Sequence, residues 1–595
     1  MEKKRHQGQG IADYIPLPTE ERDTQSTGIK YPSKLTYRGE MARRMTKGLK
    51  PTCMKKCGII LILTAVIIAI IAKLYFEKIT IDQPNYNPVE GSTPPMGWNS
   101  WNHFQCDGLN ESVVKETVDL LISSGLAKAG YKYVNLDDCW QLTRNENGVI
   151  LEDQTKFPNG IKTLAEYVHS KGLKFGLYTC VGTLTCGRRP GSYGYEEIDA
   201  QTYADWKVDF VKNDDCYIHP GENIEKSYQT MYAAIKNTGR QMIHSVKGSA
   251  ENLELASGFS NMRRVNYDIK DNWINMMSLV DWAFSKNLYD HSGLWHDLDM
   301  LEVGNGGMTT EEYKVHFSLW SALKSPLILG NDPKMMKDSV KNILTNPEVI
   351  NINQDPLGKP VSLVREEKLG HAEHLAVSDL RCTRNDTNQQ WSYSKEKRWL
   401  KHVKLDLCLT ANVTSKLVTV EKCGRSDLHQ AWTVDEERNK IYFSIASGKT
   451  YCLELKSWEM YGQATVKKCP KKPTYKDKIY FEKFASNTSS YVIYNLKTFN
   501  DKCLKVGGVA DFQVYSGPLS KNRVVVLIVN RDVVDHGFSF NLEEYVNTEQ
   551  DKHYVVKEVW EKFEIKAIGD TKLVTDFEIP SHSCKMFIIT PQSKA

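Results

Sequence analysis

Between Pro94 and about Asn331 the sequence alternates short apolar runs with helix-length segments, and the runs recur roughly every 30–35 residues. Eight strand candidates can be read: Met96–Trp101, Lys132–Asp138, Leu173–Cys180, Val208–Asp214, Met242–Val246, Val265–Asp268, Leu294–Met300 and Pro326–Leu329. This spacing predicts an α/β fold, a (β/α)8 TIM barrel. Its reactive groups belong at the C-terminal ends of the strands, because only those ends converge on one mouth. The acidic residues lie where that rule wants them: Asp137 and Asp138, Asp214 and Asp215, Asp268, then Asp297 and Asp299.

After the Asn353–Gly358 turn the texture changes to short strands with little helical periodicity, which places the barrel at 94–360. Between about 361 and 500 two half-similar segments repeat the order Cys-Leu, Cys, Gln-x-Trp: Cys408 and Cys452, Cys423 and Cys469, Trp391 and Trp432. The repeat resembles a ricin-B-type β-trefoil lectin module, and that resemblance pairs Cys408 with Cys423 and Cys452 with Cys469. In a sugar-binding repeat an aspartate follows Cys-Leu, whereas Thr410 and Glu454 stand there in this chain, and the third repeat lacks Gln-x-Trp. A second glycan site in the trefoil is therefore an open expectation, with its tryptophans read as core. The final segment, 501–595, alternates as in KNRVVVLIVN and predicts an antiparallel β sandwich.

At the other end, Gly58–Ala72 is an uninterrupted apolar run, continued past Lys73 to Phe76. It predicts a short transmembrane signal anchor over 58–76, with the lysine snorkelling. Residues 1–57 carry thirteen Lys/Arg against six Asp/Glu, while the formal charge of the whole chain is only +4. By the positive-inside rule they form a cytosolic basic tail, and a stem (77–93) leads to lumenal domains. This is a type II single-pass membrane protein. Golgi or another endomembrane fits best, with lysosome or cell surface as alternatives, and the short span leans toward thinner early secretory membranes. Twelve of the fourteen cysteines follow the run, as do four glycosylation sequons, at Asn110, Asn385, Asn412 and Asn487. Nothing in the charge distribution resembles a nucleic-acid surface. Oligomeric state is left open, a homodimer included.

Three long motifs then narrow the chemistry: PPMGWNSWNHFQC (94–106), YVNLDDCW (133–140) and the segment from Lys174 to Tyr217 containing Lys212-Asn213-Asp214-Asp215-Cys216. They resemble the lysosomal α-galactosidase and α-N-acetylgalactosaminidase family, glycoside hydrolase family 27 of clan D. The resemblance implies Asp214 as nucleophile in its Lys-x-Asp-x-Cys motif. It also implies Asp268 as acid/base and Arg264 as a sugar-hydroxyl ligand in an Arg-x-x-x-Asp motif. Asp137 and Asp138 resemble the pair that accepts the galactose 4- and 6-hydroxyls, Trp101 and Tyr178 resemble pocket walls, and Asp299 is a further ligand candidate. The family pattern pairs Cys106 with Cys139 and Cys186 with Cys216, leaving Cys180, Cys382, Cys503 and Cys584 without assigned partners.

A retaining glycosidase needs one ionised carboxylate to attack the anomeric carbon and one protonated carboxyl to assist the leaving group, about 5–5.5 Å apart. Lys212, two residues before Asp214, points to the same strand face and is expected to hold that carboxylate ionised. Asp268 is expected to show the opposite shift. No metal or organic cofactor is required. Where the family carries Ser-Cys-x-Trp after its fifth strand, to read the sugar 2-substituent, this chain has Ser245-Val246-Lys247-Gly248. Galactose, N-acetylgalactosamine and an anionic variant all stay open; Lys247 could place a cation near the 2-position or the aglycone, with a solvated loop lysine as the default reading. The leading function is retaining hydrolysis of terminal α-galactose or its 2-acetamido analogue from glycoconjugates. The rivals are a glycosidase for another α-sugar and a membrane lectin with a dead barrel.

Overall fold

The computed structural model describes residues 92–592 apart from 248–257, 266, 286–293, 368–374, 383–386, 414–415, 417, 425–427, 456–463, 472–477, 485–491, 498–501, 507–511, 533–534, 547–552 and 569–574. The predicted span over 58–76, the basic tail, and the sequons at Asn385 and Asn487 lie outside the described residues. Among the described residues no helix is long and apolar enough to cross a membrane.

Eight parallel strands build the first domain: β1 Met96–Asn99, β2 Tyr133–Leu136, β3 Lys174–Cys180, β4 Phe210–Asp214, β5 Ile243–Lys247, β6 Met262–Arg264, β7 Trp295–Asp297 and β8 Leu327–Leu329. They pair in sequence order, and β8 pairs back onto β1 through Met96 and Leu327. The chain just past β7 joins β8 through a parallel Leu301–Leu329 bridge, which closes the ring. The sixth strand departs from expectation: it is Met262–Arg264, not Val265–Asp268. Its second inward residue is an arginine, invisible to a search for apolar periodicity, and Asp268 lies on the loop beyond.

Period-two alternation explains what fills the barrel. The first residues of five strands, Tyr133, Phe210, Ile243, Met262 and Trp295, form one apolar cluster that plugs the N-terminal end. Two residues further along each strand the inward layer turns polar: Asn135, Lys212, Ser245, Arg264 and Asp297 line one cavity. A third step reaches Asp137, Asp214, Lys247 and Asp299, at or beyond the strand ends. Apolar packing thus supports the polar mouth from below.

Strand Ser362–Glu367 leaves the barrel and pairs antiparallel with Phe512–Leu519, the start of a six-stranded sheet that includes Arg523–Asn530 and Cys584–Gln592. The trefoil lies between those two partners. Its first strand, Leu375–Arg381, pairs antiparallel with Lys502–Val506. Trp391 and Trp432 are fully buried in one core, and their indole nitrogens donate to Leu504 O (3.1 Å) and Leu409 O (2.7 Å). Thr410 is buried and its hydroxyl accepts from Gln430 Nε2 at 2.9 Å, which makes it an interior contact. Disulfides join Cys408 to Cys423, Cys452 to Cys469, and Cys382 to Cys503 across the trefoil's closing strands.

The C-terminal sheet packs on helix Thr310–Ala322, whose N-terminus is a capping box: Thr309 Oγ1 accepts from Glu312 N (3.2 Å) and Glu312 Oε2 from Thr309 N (2.7 Å). Buried nearly all round, the helix presents Ser318 to Trp560 Nε1 on the sandwich side (3.1 Å) and Trp320 Nε1 to Asp299 O on the barrel side (2.8 Å). One helix thus connects the distal domain to the floor of the site.

Candidate active site

Asp214 ends β4, and its buried carboxylate is gripped from two neighbouring strands. Tyr178 Oη on β3 donates to Oδ2 at 3.0 Å, and Lys247 Nζ on β5 lies 3.3 Å from Oδ1 and equally 3.3 Å from Asp215 Oδ1. Burial opposes ionisation here, but Lys247 first, then Lys212 and Arg264, outweigh it and hold the Asp214 carboxyl at about 2. Disulfide Cys186–Cys216 braces the loop beside it. The sulfurs of that bond and the Asp214 carboxylate are mutual neighbours, but a disulfide offers no thiolate to a metal ion.

Lys212 does something other than expected. Its Nζ lies 2.6 Å from Asp137 Oδ2, which also accepts from Asn99 Nδ2 at 2.8 Å, and it sits 5.3 Å from the centre of the Tyr178 ring. Its contribution to Asp214 is a longer-range charge, and the direct contact belongs to Lys247. Asp138 accepts from Gly187 N (2.6 Å) and Cys139 N (2.7 Å), beside the Cys106–Cys139 disulfide. Burial, with the charge of Asp137 adding to it, raises its carboxyl above the ordinary value. A Cβ on Gly187 would stand 2.7 Å from Cys139 Sγ, so only glycine lets this loop close over Asp138. Trp101 opens the helix after β1 and is half-buried, with its backbone nitrogen donating to Asn99 Oδ1 at 2.8 Å.

Across the mouth, Arg264 at the end of β6 pairs with both Asp268 and, at 3.1 Å, Asp299 Oδ2. Asp299 Oδ2 also takes Ile269 N at 2.9 Å, while Oδ1 takes Met300 N at 2.8 Å. Both oxygens are therefore engaged within the protein. Asp299 adopts φ 84°, a left-handed conformation costly for a non-glycine residue, and the Trp320 indole holds its carbonyl there. It is a brace that fixes Arg264 and the backbone next to Asp268. The Asp268 side chain is 74% exposed, against 8% for Arg264. Although desolvation pushes the other way, Arg264 and Lys247 lower its carboxyl below the ordinary range. The predicted upward shift of Asp268 is thus reversed, because Arg264 is ion-paired with it.

Residues 93–355 match the family model described as alpha galactosidase A, residues 368–476 the ricin-type beta-trefoil lectin domain, and residues 509–589 the alpha galactosidase C-terminal beta sandwich domain. The alpha-galactosidase of Cyamopsis tetragonoloba is 49% identical over 272 residues, 45% of this chain and 66% of the relative. Alpha-galactosidase 2 of Arabidopsis thaliana is 46% identical over 279 residues, 46% of this chain and 70% of the relative. The chain belongs to the alpha-galactosidase family. It is a glycoside hydrolase. Among solved structures, alpha-galactosidase I from Mortierella vinacea aligns with a TM-score of 0.57 at 26% identity, over 85% of this chain and 100% of that one.

Within the family frame, the residue that sequence reasoning missed is Lys247. Counting by two along β5 from Ile243 through Ser245 reaches it, the count that takes Phe210 through Lys212 to Asp214 on β4. The rule that singled out acids at strand ends applies equally to a lysine there. Asp297 was seen only as an acid at a strand end: desolvation and the neighbouring Asp299 raise its carboxyl to about 6.

Proposed function

We propose that this chain hydrolyses terminal α-galactosides with retention of configuration, using Asp214 as nucleophile and Asp268 as acid/base. The observation that carries the reading is electrostatic. Asp214 is held ionised while in contact with Lys247 and Tyr178, and Lys247 and Arg264 each face both Asp214 and Asp268. One mouth therefore holds a nucleophilic carboxylate and a second, exposed carboxyl over a shared pair of cations. In the first step a carboxylate oxygen of Asp214 bonds to the anomeric carbon as the bond to the aglycone breaks, and Asp268 gives its proton to the departing oxygen. In the second, Asp268 takes a proton from water, the water oxygen bonds to the anomeric carbon, and the ester to Asp214 breaks. Asp268 must enter the first step protonated, and a sugar that displaces water from the mouth supplies the desolvation that raises its carboxyl. Asp137 and Asp138, ordered by Lys212 and Gly187, serve the sugar hydroxyls.

The test is hydrolysis of a panel of nitrophenyl α- and β-glycosides by the detergent-solubilised chain, with Asp214→Asn beside it and the first-formed product anomer read by NMR. Release of α-galactose as the α-anomer, lost in the variant, supports the reading. Release of α-N-acetylgalactosamine instead reassigns the 2-substituent. A folded protein silent on every sugar moves the chain to the lectin class.

The anchor over 58–76 and a lumenal barrel complete the proposal, supported by the basic tail before the run and the sequons after it. Protease protection of the barrel in sealed microsomes, with glycan removal shifting its size, tests that topology.

A further inference from the structure

We propose that Lys247, and not the lysine of the Lys-x-Asp-x-Cys motif, is the cation that readies Asp214 for attack, which frees Lys212 to order Asp137 in the sugar pocket. This rests on the reading of Asp214 as nucleophile. It begins from a departure: the fifth-strand segment that elsewhere reads the 2-substituent is replaced here by Ser245-Val246-Lys247. The replacement is not a solvated surface lysine. Its ammonium lies 3.3 Å from one oxygen of Asp214 and 3.3 Å from one of Asp215, with the side chain only 30% exposed. Lys212 is committed elsewhere, 2.6 Å from Asp137.

The groups facing Asp214 can be taken strand by strand. From β2 come Asp137 and Asp138, and from β3 Tyr178, whose hydroxyl donates to Oδ2, and the Cys180 thiol. β4 supplies Lys212 with Asp215 just past its end, β5 supplies Lys247, β6 supplies Arg264 with Asp268 beyond it, Asp297 ends β7 with Asp299 just past it, and Tyr228 on helix Ile224–Asn237 also faces Asp214 and Asp215. Of the three cations, Arg264 is paired with Asp268 and Asp299, and Lys212 with Asp137. Among the described residues, Lys247 forms ion pairs with Asp214 and with its neighbour Asp215. The three-way contact also has a role after the first step. Esterification removes the charge on Asp214, and Lys247 then faces Asp215 and Asp268, which favours the ionised Asp268 that must accept a proton from water.

The experiment compares wild type with Lys247→Met, Lys247→Arg and Lys212→Met in the full-length, detergent-solubilised chain. The first readout is the pH profile of kcat/KM on an α-galactoside. Loss of the lysine is expected to move the acid limb up by about 1–3 pH units, the arginine to restore it, and Lys212→Met to move it less while raising KM. The second readout needs no activity: infrared titration of aspartate carboxyls, with the Asp214 band assigned by its loss in Asp214→Asn. That band should titrate at higher pH in Lys247→Met than in wild type or Lys247→Arg. An unshifted Asp214 titration in Lys247→Met, or a larger shift in Lys212→Met, overturns the assignment. Absence of galactosidase activity in wild type would defeat the proposed function, while the titration still decides the role of Lys247.

Discussion

Arg531, at the end of a sandwich strand, holds Asp281 on barrel helix Trp273–Ser285 in a two-pronged ion pair, Nη1 to Oδ1 at 2.6 Å and Nη2 to Oδ2 at 2.9 Å. Nη1 also reaches Gln513 Oε1 at 2.8 Å, and Arg531 is only 7% exposed. Truncating Asp281 strands a buried guanidinium, whereas the Asp281 side chain is itself 24% exposed. Asp281→Ala should therefore lower stability by about 3–5 kcal/mol, read from denaturant midpoints, and Arg531→Ala by less. The double variant should lose clearly less than the sum of the single losses.

The two proposed catalytic carboxyls should respond differently to amide substitution. Asp214→Asn removes the nucleophile and should cost at least about a thousandfold in kcat on every α-galactoside. Asp268→Asn removes the proton donor, so its loss of about 10²–10⁴-fold should appear with alkyl aglycones and shrink when the leaving group is an acidic phenol. Equal losses across leaving groups would remove Asp268 from the acid role.

Two buried thiols, Cys180 and Cys584, are unpaired by disulfides among the described residues. Burial, against partial relief from hydrogen bonds, pushes both up to about 12 from an ordinary 9.0. The native state keeps these protons where the unfolded chain releases them, so stability contributed here is present below pH 9 and declines as pH rises toward 12. Iodoacetamide at pH 8 should label neither residue until the protein is unfolded, as read by peptide mass mapping. Cys584→Ala should flatten the fall in stability above pH 9.

Removing the Cys382–Cys503 bridge, which joins residues 121 apart, should loosen the closing strands of the trefoil. The double alanine variant is expected to lose about 3–5 kcal/mol in the trefoil transition, with Asp214 chemistry unchanged, as followed by calorimetry and by activity on a nitrophenyl galactoside.

What the sequence could reveal divides along the range of the interactions involved. Local periodicity located seven of the eight barrel strands, because each is a short apolar run that leads into polar residues. It failed at Met262–Arg264, where the inward position after the first is an arginine paired with Asp268 and with Asp299, the latter 35 residues away. The aspartates at 137, 138 and 214 were singled out by long motifs, and Asp268 by the shorter Arg264-x-x-x-Asp268 segment. Lys247 was passed over because a lysine in a glycine-flanked segment reads as surface until the β4 and β5 registers put Lys212 beside Ser245. Cys382–Cys503 and Arg531–Asp281 join residues 121 and 250 apart, and no pattern on either side announces its partner.

The chain leaves the sandwich at Glu367 and re-enters it at Phe512, the residue directly across the ladder from Glu367. Seen from the sheet, the whole trefoil occupies the place of a hairpin loop. Closure entropy grows only slowly with loop length, so a lectin-like module can be spliced there at small cost to its host. Reversing the splice, with a two-residue turn joining 367 to 512, would return a shorter enzyme whose sheet has lost no strand. The trefoil is therefore a detachable accessory, and nothing in the registry of the host sheet depends on it.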